Sequence, residues 1–69
     1  MSRYAIIIEE GPASFGAYSP DLPGCVAAGA SREETVALMR DAIEMHLAAM
    51  RDAGETLPAP STSVAYVDV

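Results

Sequence analysis

The segment from Ser31 to Ala53 constrains the chain more than any other. Ser31 with Glu34 three residues on forms a capping box, and Glu33 adds negative charge to the first turn. Gly54 stands where a helix C′ residue belongs, and Pro58 and Pro60 prevent the helix from resuming. A helix of about 22 residues, roughly 33 Å long at 1.5 Å per residue, takes up nearly a third of a chain of 69 residues. Whatever else forms must be short and must pack against that one helix.

On a helical wheel Val36, Met39, Ile43, Leu47 and Met50 share a face, which should cover a sheet. Arg40 and Glu44 form an i,i+4 pair. Leu38 and Met45 fall on the far side, with Ala42 and Ala49 at its edge. That second stripe (Leu38, Met45, Ala49) is read either as a contact surface for a partner or a second copy, or as ordinary exposed apolar side chains.

Ahead of the helix, Arg3 to Glu10 carries the β-branched run Ile6-Ile7-Ile8. With both alternating faces apolar, it reads as a strand buried on both sides or central in its sheet. Gly11-Pro12 marks a loop, and Phe15 to Ser19 is a second strand, antiparallel to the first. A third strand runs from Cys25 to Gly29, and Val64 to Val69 reads as a last one. The expected class is α+β: a single β-β-β-α-β domain over residues 1–69, a mostly antiparallel sheet with one long helix on one face.

Between the second and third strands lies Ser19-Pro20-Asp21-Leu22-Pro23-Gly24-Cys25. Pro20 presets φ for a type I turn, and Pro23-Gly24 fits a type II turn, in which glycine takes positive φ. Two linked turns make a stiff corner. Its residues Asp21, Leu22 and Pro23 are candidate partner contacts, with Leu22 expected as an exposed apolar tip.

Composition narrows the function. A chain this short is near the lower limit for independent folding and commonly needs a disulfide, a metal or oligomerisation. Cys25 is the only cysteine, and Cys25 and His46 are the only soft ligands. No internal disulfide, metal or cofactor is therefore expected, and a homo-oligomer, dimer or tetramer, is. Four arginines and no lysine against ten carboxylates give a net charge of −6. Such a chain cannot neutralise phosphates, so direct nucleic-acid binding is not expected, whereas a basic protein partner is. The longest apolar run, Ala5 to Ile8, is far too short to cross a bilayer, and with the lone thiol this points to the cytoplasm.

No catalytic residue is assigned. Cys25 has no nearby basic group to activate it, and His46 has no visible partner and reads as a boundary packing residue. Glu9 or Glu10, Glu44 and Asp68 could converge at a sheet edge, as a metal-dependent nuclease requires. Yet Glu44 sits beside Arg40 on the helix flank, and the strand centre is apolar where such a site places an acid.

Tyr18-Ser19-Pro20-Asp21-Leu22-Pro23-Gly24-Cys25, then Ala28-Gly29-Ala30-Ser31 with Glu33-Glu34, a helix holding His46-Leu47, and Leu57-Pro58-Ala59-Pro60 together resemble the HicB antitoxin family. The resemblance covers Tyr4 to Val69. It implies a partly degraded RNase H-like fold without nuclease activity, and a role in neutralising a small basic mRNA-interferase toxin of the HicA type. Many members of that family continue into a DNA-binding domain. Here the sequence stops at Val69, so no C-terminal DNA-binding domain is expected. Two other readings remain: an orphan oligomeric binding module without a toxin, and the metal-dependent nuclease.

Overall fold

The computed structural model describes residues 2–69. Three strands, β1 (Ile7–Glu10), β2 (Phe15–Tyr18) and β3 (Val26–Gly29), precede one helix, α1 (Arg32–Asp52). The sheet order is β1-β2-β3, antiparallel throughout, with Ile8 opposite Ala17 and Ala17 opposite Ala27. The α+β class and the helix over one face of an antiparallel sheet are as the sequence implies. Two features differ. β1 is an edge strand, not a central one, and Ile6, Ile7 and Ile8 are only half-buried. The segment 64–69 pairs with no strand among the described residues, so the expected fifth element is absent as a ladder.

The helix ends are built as their residues dictate. Ser31 is the N-cap, and its hydroxyl accepts from the Glu34 amide at 3.1 Å. At the other end Gly54 takes φ 73° and donates to the Arg51 carbonyl, which turns the chain out of the helix. The Arg40–Glu44 pair is 3.8 Å apart with both side chains largely in solvent, so it adds little.

The core is small. Ala17, Leu22, Cys25 and Met39 are buried, with Tyr4, Ile6, Ile8, Ala27, Ala42, Ile43 and Leu47 packed around them. Thr35 is also fully buried, and its hydroxyl donates to the Ser31 carbonyl at 2.7 Å, so burial leaves it no unmet hydrogen bond. The packing stripe thus includes Thr35 and Ala42 besides Met39, while Val36 stays 37% exposed. Met39, Ile43 and Leu47 of the expected stripe do pack on the core, and Thr35 and Ala42 widen that face to one side. Small residues on the strands permit this: Gly29 has no Cβ, and one placed there would lie 2.7 Å from the Thr35 hydroxyl oxygen. The helix sits over β3 and β2, leaving the β1 side of the sheet uncovered.

Candidate interaction surfaces

The corner between β2 and β3 is two closed turns in series. The Leu22 amide donates to the Ser19 carbonyl at 3.1 Å and the Cys25 amide to the Leu22 carbonyl at 3.0 Å. Gly24 takes φ 85°, as the third position of a type II turn demands. The Ser19 amide also donates to the Cys25 carbonyl at 3.2 Å, closing the base of the corner. The Ser19 hydroxyl reaches across to the Ala5 carbonyl at 3.0 Å and ties the corner to the start of β1.

The direction in which this corner points is a correction. Leu22 is completely buried and belongs to the core with Met39. The two turns fold it inward, so it is an anchor and not an exposed tip. Pro23 is exposed and remains on the surface of the corner.

Asp21 is half-buried and faces a segment 40 residues away in sequence. Its carboxylate accepts four hydrogen bonds: from the Ser61 amide and hydroxyl at 3.2 and 3.0 Å, and from the Thr62 amide and hydroxyl at 3.2 and 2.9 Å. Partial desolvation pushes this carboxyl up, but the four donors, led by the Thr62 hydroxyl, outweigh it and hold its pKa below the ordinary 3.8. The chain leaving the helix is thus clasped to the corner. A second tie lies upstream, where the Tyr4 hydroxyl donates to the Pro58 carbonyl at 2.6 Å. Composition and periodicity do not report such long-range pairs. The only local signal was two hydroxyl residues, Ser61 and Thr62, directly after Pro60.

The clasp is expected to be pH-sensitive in one direction. A carboxyl whose folded pKa is depressed contributes its stability above its unfolded pKa and loses it as pH falls through the lower folded value. Protection of the Ser61 and Thr62 amides from hydrogen exchange should therefore hold at neutral pH and fall below about pH 4. Asp21→Ala should abolish that protection at every pH while α1 keeps its own.

Past the clasp, Val64, Tyr66, Val67 and Val69 are exposed, Val67 to 82% and Tyr66 to 94%. Two open grooves meet at Ile6, just before β1. One of about 550 Å³ lies on the helix side, lined by Tyr4, Ile6, Ile43, Leu47 and Leu57. The other, about 610 Å³, lies between Ile6, Ile8 and Phe15 on one side and Val64 and Tyr66 on the other. Ile6 lines both, but only the second reaches β1; Arg40, Glu44 and Arg51 also line the first, and Glu10 and Arg32 the second.

The far face of α1 presents Met45 at 73% and Leu38 at 39% exposure, with Ala49 also exposed. On the uncovered face of the sheet, Ile7, Tyr18 and Val26 form a row across the three strands, with Val26 65% exposed. His46 is half-buried and lines a shallow hollow with Cys25 and Met45. Cys25 is a buried free thiol whose pKa burial raises above the ordinary 9.0, which keeps it protonated and unreactive at neutral pH. Among the described residues no three His, Cys, Asp or Glu side chains lie close enough to share a metal ion. Glu9, Glu10, Glu44 and Asp68 do not converge. No helix among the described residues is long and apolar enough to cross a membrane.

These features define a small α+β domain with a net acidic charge, several uncovered apolar patches and a rigid corner that holds the fold together. Comparison with family models makes this specific. A model described as HicB_like antitoxin of bacterial toxin-antitoxin system matches residues 4–68. The chain belongs to that HicB-like antitoxin family. No curated protein and no solved structure gives a significant match.

Proposed function

We propose that this chain is the antitoxin of a toxin–antitoxin pair, that it acts without catalysis, and that it neutralises a small basic mRNA-interferase toxin of the HicA type. The family match over residues 4–68 carries this reading. A net charge of −6 with no lysine supports it, because opposite charge steers a basic partner to an acidic surface and raises the association rate.

Within this reading the exposed helix stripe of Leu38, Met45 and Ala49, and Pro23 beside Asp21 on the corner, are the surfaces proposed to meet the toxin or another copy. Met45 is the most useful probe, because at 73% exposure its side chain contributes little to the fold. Met45→Glu is expected to shift stability by less than about 0.5 kcal/mol. If the stripe is the toxin surface, that substitution weakens binding.

Co-expression tests the function. Cells producing a HicA-type toxin should stop growing, and producing this chain alongside it should restore growth. Unrelieved arrest with both proteins present and folded contradicts the proposal.

A further inference from the structure

The geometry points to a strand exchange between two copies of this chain, in which segment 64–69 of each copy docks as a fourth strand on the free edge of β1 in the other. β1 is an edge strand with unpaired backbone groups along its outer side. Because α1 lies over β3 and β2, an open groove remains beside β1, where Ile6, Ile7, Ile8 and Phe15 give it an apolar trough. An edge of this kind accepts a strand whose backbone completes the ladder and whose alternate side chains fill the trough.

The occupant is present in every copy. Val64-Ala65-Tyr66-Val67-Asp68-Val69 is rich in β-forming residues and carries one charge. It makes no ladder in its own chain, and it exposes Tyr66 to 94% and Val67 to 82%. The clasp at Asp21 fixes where it departs, and Val64 and Tyr66 line the groove beside β1 without pairing to it. Each copy thus has one vacant strand position and one strand without a place. A two-fold pair satisfies both at once, since an isologous interface repeats every contact. One docked six-residue strand is a small contact. Exchanged reciprocally it counts twice, which brings it toward the ~1,200–2,000 Å² of a specific interface. A second copy therefore suits this site better than a partner that would use it only once. The segment brings one carboxylate, Asp68, to an edge that itself carries Glu9 and Glu10, with Arg32 lining the same groove as the opposite charge.

Light scattering after gel filtration tests the exchange on the full chain and on Val67→Pro. Proline at 67 removes a ladder donor and blocks strand addition. Since Val67 is 82% exposed within one copy, the substitution has almost no packing to disturb there. The wild-type chain should run at twice its 7.2 kDa monomer mass. Val67→Pro should run as a monomer with unchanged helical circular dichroism, and the outer amides of β1 should lose their protection from hydrogen exchange. Three results would overturn the proposal: a wild-type monomer, a dimer undiminished in Val67→Pro, or a monomer that occupies the β1 edge only when toxin is added. None of these outcomes depends on whether the chain rescues cells from a toxin, so the two proposals fail separately.

Discussion

Leu22→Ala is expected to cost about 2–5 kcal/mol, the range for deleting a fully buried leucine from a packed core. Leu22 has no exposed surface and is one of four buried apolar residues in the core. A chain of this length has ~3–10 kcal/mol of stability in total, so one such substitution removes a large part of it. The thermal midpoint should fall by about 10 °C or more, given ~4–8 °C per kcal/mol for a domain of this size. Leu22→Met, which nearly conserves volume, should cost less than about 1.5 kcal/mol. Urea unfolding of the two variants separates an anchor from a recognition tip. Were Leu22 a tip, both would unfold like the wild type and only binding would change.

Gly29→Ala is the second large effect. The added Cβ would sit 2.7 Å from the Thr35 hydroxyl oxygen, 3.2 Å from the Thr35 amide nitrogen and 3.3 Å from Glu34 Cγ. Thr35 cannot swing aside, because it is fully buried and bonded to the Ser31 carbonyl at 2.7 Å. The helix must therefore lift from the end of β3, at a cost of about 1–3 kcal/mol for overpacking. Because φ at Gly29 is not in the left-handed region, backbone strain contributes nothing. The cost is steric. Combining Gly29→Ala with Thr35→Ala should recover part of the loss, since it removes the group the Cβ meets. A double-mutant cycle in urea measures that recovery.

Legibility in the sequence follows the range of the interaction involved. The helix was readable to within a residue, because Ser31, Glu34 and Gly54 each act on the backbone next to them. The two turns of the corner were readable for the same reason, through Pro20, Pro23 and Gly24. Where Leu22 points was not readable, since prolines and glycine fix the turn but the burial depends on Met39 from another element. Met39, Ile43 and Leu47 on the packing face of α1 are legible from periodicity, but the place of Thr35 on it is not. Thr35 counts as polar on a wheel, yet Gly29 opens the space that takes it, and that pairing is tertiary.

The tail shows the same limit from the other side. The strand-forming character of Val64 to Val69 was evident, but a strand is defined by its partner, and none lies in this chain's described residues. Asp21 was legible as a turn former and not as the acceptor of four bonds from Ser61 and Thr62. The corner thus has a structural task that accounts for its aspartate and leucine before any partner is considered.

Whether the chain binds such a toxin is decided by calorimetric titration of the full chain into a purified HicA-type toxin inactivated at its catalytic residue, repeated over a salt series. A saturable complex is expected, weakening as salt rises, because an acidic chain and a basic toxin lose mutual attraction as the Debye length shortens from about 10 Å at 0.1 M. No heat of binding at low salt, with both proteins folded, would contradict it.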